Sequence, residues 1–349
     1  QAFTLAQEDA RSHFDLERGP LLRVALLKLG AERHVLLVNL HHIISDAWSE
    51  MVLVREFLAL YQAACQGKPD PLPALNLHYR DYACWQRAFL SSEAANVARG
   101  YWHDKLQGEL PILDLPSDFP RPQVKSYNGK SHLLQIDAAQ TSALLEFSRR
   151  QQASLFMTLT AAVKSLLYRY CGQTDILVGT VNAGRTHRDL EEQIGFYINT
   201  LALRDLLQPD QSFVSLLQQV KATVTDAFDQ QSYPFDLLVN ELNLSRDVSR
   251  NPVFDVAVVL QNVETSDFTL ENVRVQPFYD HDEVSKFDLS FTFEVRNGSL
   301  HLFLTYNRDL FAAERIERMA GHFHELIGSI LADANTPIAR LRILPEAEL

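Results

Sequence analysis

Cysteine is scarce in this chain. Its three residues, Cys65, Cys84 and Cys171, lie far apart and make no metal-ligand spacing. An odd, sparse set fits reduced thiols in a cytoplasmic protein. Long apolar runs are missing too, since none approaches the ~18 residues that a membrane span needs. Positive charge is in deficit, 32 basic against 44 acidic residues for a formal net charge of -12. That excludes a general nucleic-acid binder but leaves room for a local basic patch that meets a phosphate-bearing partner. There is no phosphate loop of the Gly-x-x-x-x-Gly-Lys type, no low-complexity tract, no short-period repeat and no signal-peptide pattern. The chain starts at Gln1 without Met and stops at Leu349, and both ends read as cuts in something longer.

At 46% hydrophobic and 22% charged, the composition is that of an ordinary soluble globular protein. Its most informative stretch is His41-His42-Ile43-Ile44-Ser45-Asp46-Ala47-Trp48-Ser49. Two histidines close the apolar run Val35–Leu40, and an aspartate follows where an amphipathic helix begins. Alternation along a strand sends His41 and His42 in opposite directions. A buried histidine at a strand end, with an acid nearby to fix structure, suits a general base.

Residues 21–29 and 34–41 read as two strands around a short turn, and Ser45 or Asp46 caps a helix that runs to Cys65. A second helical region covers 78–107. Leu115–Pro122 holds three prolines in eight residues and is the best candidate for a boundary. Beyond it the pattern resumes. There is a strand at 133–136, helices at 138–151 and 154–171 with Gly172 as a stop, and a strand at 176–181. A helix follows at 212–230 with Ser212 as its cap, then an apolar strand at 253–260. An Asn297-Gly298 hairpin joins 287–295 to 300–306, and a last helix covers 312–332. Strands alternate with long helices on both sides of the boundary, which predicts α/β layers in two lobes, 1–118 and 119–349.

Four further segments stand out: His78–Trp85, Ile194–Thr200, Tyr233-Pro234-Phe235-Asp236 and Arg246–Pro252. With the His-His-x-x-x-Asp stretch, their order and spacing resemble the condensation domain of nonribosomal peptide synthetases across essentially the whole chain. The family's His-His-x-x-x-Asp-Gly signature is present except that Ala47 replaces the glycine. The resemblance implies two lobes, each like one protomer of chloramphenicol acetyltransferase, set in a V around a tunnel. It implies amide formation between an upstream carrier-bound acyl or peptidyl thioester and the amine of a downstream aminoacyl thioester. Both substrates ride on 4′-phosphopantetheine arms, and the domain itself takes no cofactor. Implied partners are two peptidyl carrier domains and an adjacent adenylation domain, with no nucleic acid and no membrane. The family usually carries roughly 80 more residues before this point, judged against a two-lobe size, so the first lobe is expected to be incomplete.

Carried over residue by residue, the resemblance makes His42 the catalytic group, as a base or by positioning the amine, and both roles stay open. His41 is expected to be structural, with its ring turned away and hydrogen-bonded in the core. Asp46 is expected to hold the loop through an ion pair, with Arg185 as partner. Ala47 is harmless if it is helical and strained if the site needs a positive φ. Asn251 and Trp48 are assigned to substrate positioning, although for Asn251 plain turn chemistry before Pro252 is an equal reading. Tyr79, Asp81, Tyr82 and Trp85 read as lobe packing. Gly195, Asn199 and Thr200 read as shaping the lobe interface, and Pro234 and Phe235 as opening a floor segment. A zinc site on His42 and Asp46 is rejected for want of a third ligand.

Related chemistries are weighed on the same residues. An epimerisation domain would place its Trp two positions after Trp48 and carry a Glu-rich motif where Asn182–Arg185 sits. A cyclising domain would put aspartates in place of His41 and His42. Ester formation by the same site stays open, as does a non-catalytic docking domain that recruits partner proteins, for which Ala47 is the only hint.

Overall fold

The structure is a computed structural model that describes residues 1–244, 247–261, 269–270, 273–276, 278 and 284–348. Arg246 of the last motif and Leu349 lie outside the described residues. In chain order the elements are α1 (Ala2–Arg11), β1 (Leu22–Lys28), β2 (His34–Leu40), α2 (Ala47–Cys65), α3 (Tyr79–Phe89), α4 (Glu93–Lys105) and β3 (Gly129–Ile136). There follow α5 (Ala138–Arg150), α6 (Leu155–Cys171), β4 (Asp175–Asn182), β5 (Asn199–Leu206), α7 (Phe213–Asp229), α8 (Phe235–Glu241) and β6 (Val256–Gln261). The last are β7 (Thr269–Leu270), β8 (Val273–Arg274), β9 (Leu289–Arg296), β10 (Ser299–Asn307) and α9 (Ala313–Ala332).

These form two compact units. One comprises Gln1–Ser91, Ala183–Ile198 and Thr265–His281; the other comprises Ser92–Asn182, Asn199–Glu264 and Asp282–Leu349. Residues 92–118, read from the sequence as part of a first lobe, fall in the second unit. The reason is contact chemistry. Trp102 on α4 is 2% exposed and its indole N–H donates to the Gln230 carbonyl at 3.0 Å. Arg204 on β5 donates to the carbonyls of Gln107 and Glu109 at 2.9 and 3.1 Å. Proline spacing marks a bend in the chain, whereas a unit's edge is set by which side chains it buries.

In the first unit β1 and β2 pair antiparallel, Leu22 opposite Leu40. Asp9 of α1 ties to this hairpin through the Arg23 guanidinium at 2.9 Å and through its carbonyl, which accepts from Asn39 at 2.9 Å. Asp46 caps α2 by accepting the Ser49 N–H at 2.8 Å. The helical region foreseen at 78–107 is two helices, α3 and α4, with Ser92 starting the second by accepting the Ala95 N–H.

The second unit is built on a six-stranded sheet in the order β3-β10-β9-β6-β4-β5. Strand β6 runs parallel to both its neighbours, and the remaining pairs are antiparallel, so the layers expected from the sequence are present with a mixed sheet. Leu289, Phe291 and Phe293 alternate inward on β9, fully buried, and the Phe293 ring lies 5.5 Å from that of Phe323 on α9. The β9–β10 hairpin turns on Asn297 and Gly298, both at positive φ (51° and 79°). That is the geometry for which an Asn-Gly pair is suited. Helix α6, buried along most of its length, carries one fully buried charge: Lys164 pairs with Asp205, whose other oxygen accepts the Thr223 hydroxyl at 2.6 Å. The pairing lets a lysine sit in a helix otherwise made for the core.

Candidate active site

Strand β2 stops at Leu40, one residue before the histidine pair. His41 is extended (φ -72°, ψ 135°), and its Nδ1 accepts the Ile43 N–H at 3.1 Å, capping one turn of 3-10 helix, His42–Ile44. Strand alternation therefore does not reach His42. The expectation of a buried histidine is corrected as well, because His42 is exposed and His41 half-buried. A turn replaces the strand here because His41 spends its ring on the local backbone. Its ring stands edge-on to Phe14 at 5.7 Å, not in a hydrogen bond of the core.

The His42 Nδ1 lies 2.5 Å from the Ser45 carbonyl oxygen. A carbonyl only accepts, so this contact puts the proton on Nδ1. In the neutral ring Nε2 is then left with its lone pair, the form a base requires. The Phe196 ring stands edge-on to the imidazole at 5.4 Å and limits its rotation.

Asp46 lies under this turn, 1% exposed. Its Oδ1 accepts from the Ser49 N–H (2.8 Å), the Ser49 hydroxyl (2.7 Å) and Arg185 Nη2 (3.0 Å), and its Oδ2 accepts the Tyr197 N–H at 3.0 Å. Four protein donors and near-complete burial commit the carboxylate to holding the turn and shut it off from solvent. Arg185 Nη1 donates to the Leu190 carbonyl at 2.9 Å, and the guanidinium lies 4.1 Å from the centre of the Tyr197 ring. Burial pushes the Tyr197 hydroxyl up to about 12 against the opposing field of Arg185. It stays a neutral donor, to Gln193 Oε1.

The residues from 183 to 198 are thus strapped to the first turn of α2. Trp48 Nε1 donates to the Glu191 carbonyl at 2.8 Å, and Tyr79 donates to the Phe196 carbonyl at 2.9 Å. The Ser49 hydroxyl sits between the Gly195 carbonyl (2.8 Å) and the Gly195 N–H (3.1 Å). Two glycines permit this closeness. A Cβ on Gly184, at φ +63°, would meet the Tyr197 carbonyl oxygen at 1.8 Å, and one on Gly195 would meet the Tyr79 ring at 2.2 Å. Ser49 is the residue that sequence reasoning passed over. It is fully buried, and its spacing three residues after the capping aspartate was the available signal.

Ala47 is the first residue of α2, exposed, and is not among the residues with positive φ. Alanine therefore fits the backbone there. Trp48 uses its only N–H on Glu191, leaving the ring faces as its remaining contact surface. The aromatic residues touch one another, the Tyr82 ring 4.7 Å from that of Tyr197 and 5.7 Å from that of Trp85, although Tyr79 and Trp85 are exposed.

In the second unit, Asn251 accepts from Lys125 Nζ at 2.5 Å and donates Nδ2 to the Lys286 carbonyl at 3.3 Å, while its N–H goes to Asp255 at 3.0 Å. Its amide is engaged by the protein itself. Asn199 donates to the carbonyls of Gln231 and Tyr233 at 2.8 and 2.7 Å and accepts the Phe235 N–H at 3.0 Å. This secures the turn into α8. Among the described residues no group of three His, Cys, Asp or Glu side chains could hold a metal ion, and no helix is long and apolar enough to cross a membrane.

Comparison with known proteins places this geometry. Tyrocidine synthase 3 of Brevibacillus parabrevis is 39% identical over 335 residues, covering 96% of this chain and 5% of that protein. Gramicidin S synthase 2 of Brevibacillus brevis is 38% identical over 335 residues, covering 96% of this chain and 7% of that protein. The chain thus spans a small part of these relatives. Among solved structures, the complex of the X-domain and OxyB from teicoplanin biosynthesis matches with a TM-score of 0.88 at 27% identity, over 98% of this chain and 77% of that chain. A sequence model of the Condensation domain matches residues 1–349, and with it the chain belongs to the condensation domain family of nonribosomal peptide synthetases.

Proposed function

We propose that this domain forms an amide bond between an upstream carrier-bound acyl or peptidyl thioester and the amine of a downstream carrier-bound aminoacyl thioester, in the cytoplasm. His42 is the group at the reacting amine. The observation that carries the reading is its Nδ1–H bond to the Ser45 carbonyl, which fixes the tautomer and frees Nε2. As the amine attacks the thioester carbonyl, a C–N bond forms, the C–S bond breaks and the amine proton is lost. Nε2 is suited to take that proton or to hold the amine, and the proton ends on the departing phosphopantetheine thiol. Asp46 and Arg185 keep the turn in shape and do not touch the reacting atoms.

Carrier domains that deliver the two arms, and an adenylation domain in the same chain, are the partners this reading requires. Trp48 and Asn251 are assigned to positioning, Trp48 through its ring and Asn251 through the shape of the turn it holds. The motifs favour an L-configured donor. The test loads both carriers with thioesters and follows the intact mass of the downstream carrier. A gain equal to the upstream acyl group shows transfer; when hydroxylamine then frees the product from the carrier thioester, release of one joined acyl-aminoacyl hydroxamate supports an amide, and release of two separate hydroxamates would point to the ester-forming variant.

A second reading is favoured by one comparison. The X-domain that this chain matches is seen in complex with OxyB. On that reading the fold recruits a partner protein and makes no bond. Unchanged carrier masses across a broad set of substrate pairs, with carrier binding retained, would support it.

A further inference from the structure

A cationic concavity of about 230 Å³ lies in the second unit, lined by Arg169, Tyr170, Arg315, Arg318, His322 and Ile343. Arg169 and Tyr170 come from the last turn of α6. Arg315, Arg318 and His322 follow one another at i, i+3 and i+7 along α9, so they share a face. The volume exceeds that needed for a single water.

Most of the lining is pre-set by contacts that leave charge over. Arg315 is gripped by Asp118, Nε to Oδ2 at 2.8 Å and Nη2 to Oδ1 at 2.7 Å. That contact, helped by the fields of Arg315 and Arg318, holds Asp118 below the usual carboxylate range in spite of partial desolvation. His322 sits between the Tyr170 hydroxyl at 2.7 Å and Glu348 at 3.0 Å. Burial pushes the Tyr170 hydroxyl up to about 12, so it stays neutral. Arg169 donates Nη1 to the Leu341 carbonyl, a partner without charge. Neither Arg169 nor Arg318 has a carboxylate ion pair among the described residues. Asp118 thus pairs with Arg315 and Glu348 lies against His322, while the Arg169 and Arg318 guanidinium groups face the concavity with no carboxylate at ion-pair distance among the described residues. The chain as a whole is acidic, at a net charge of -12, yet three arginines converge on this one concavity.

We propose that the concavity binds a phosphoryl anion. A tetrahedral group with several acceptor oxygens can take N–H donors from more than one guanidinium, and Arg forks match phosphate geometry. The anion would relieve the repulsion between Arg169 and Arg318, and prior fixing of Arg169 and Arg315 lowers the ordering cost. The phosphoryl group can come from a free phosphate or from a phosphopantetheine arm.

The experiment titrates the whole chain, in phosphate-free buffer, with inorganic phosphate, with 4′-phosphopantetheine and with pantetheine. It uses calorimetry together with the arginine Nε–H NMR signals. Phosphate and phosphopantetheine are expected to bind and shift Arg169, Arg315 and Arg318, whereas pantetheine does neither. Added salt weakens the binding. Arg318→Glu, at an exposed position, keeps the wild-type melting temperature and weakens binding about tenfold or more, as reversal of a charge at an anion site should. Equal binding of both phosphates supports the site with a free phosphoryl ligand, and much tighter phosphopantetheine supports it with the arm as occupant. Pantetheine binding as well as phosphopantetheine, an unchanged Arg318→Glu, or no response to phosphate at millimolar concentration overturns the proposal. None of these outcomes depends on the amide-forming reaction.

Discussion

Asp46 and Arg185, 139 positions apart in the chain, form an ion pair at 3.0 Å with their side chains 0% and 1% exposed. Together they fix the histidine turn, the start of α2 and the stretch after β4 in one arrangement. Breaking a buried pair from one side leaves an unpaired charge, at a cost of about 3–5 kcal/mol. Asp46→Ala and Arg185→Met are each expected to lose that much stability in urea denaturation. The double variant should lose less than the sum, because the second change removes the charge that the first leaves stranded. Strict additivity would contradict a direct pair.

Ser49→Ala removes a hydroxyl wedged among Asp46, Arg185 and Gly195. A buried hydrogen bond is worth about 1 kcal/mol net and an abandoned partner costs more, so a loss of about 2–3 kcal/mol is expected. The same denaturation measurement checks it; Ser49→Cys, which keeps a weak donor, should fall between.

Ala47→Gly restores the family's residue. Because Ala47 is exposed and opens the helix without positive φ, glycine brings no relief and costs less than the roughly 0.5–1 kcal/mol of a helix interior. Transfer rates should match those of the wild type. A large rise in rate would mean that the methyl group obstructs the amine.

The acid limb of stability should carry the signature of Asp118. The hydrogen bond from Arg315 and the nearby arginine charges hold its folded-state value below the ordinary 3.8. In the window between the two values the unfolded chain binds more protons than the folded one. The stability it contributes is thus complete above 3.8 and is lost as pH falls through the lower, folded value. Asp118→Asn should lower stability at neutral pH and flatten the pH dependence below 4, in urea melts at a series of pH values.

Much of the fold was legible because its signals are local. Apolar periodicity located α5, α6, α7 and α9, Asn297-Gly298 located the hairpin, and Gly172, at φ 70°, ended α6. Strand β5 and the helices α1 and α8 were not read. Each is short or half-polar in pattern and owes its form to partners distant in sequence, β5 through its whole-length pairing with β4. At the site, the pairing of Asp46 with Arg185 was reachable only through the family resemblance, since nothing in spacing links positions 139 apart. The turn at His42 was misread as strand because the apolar run continues into Ile43 and Ile44, while His41 diverts the backbone with a side-chain bond that composition does not reveal.

The central claim, that His42 is the reacting group and the surrounding pair only its frame, is tested most directly by single-turnover transfer between loaded carriers. Wild type and His42→Ala are compared in the natural multidomain context, with melting temperature and carrier affinity measured alongside. The account predicts that His42→Ala keeps fold and carrier binding while transfer falls by about 10²–10⁴, the usual contribution of a proton-handling residue. Transfer at the wild-type rate by a folded His42→Ala would contradict it.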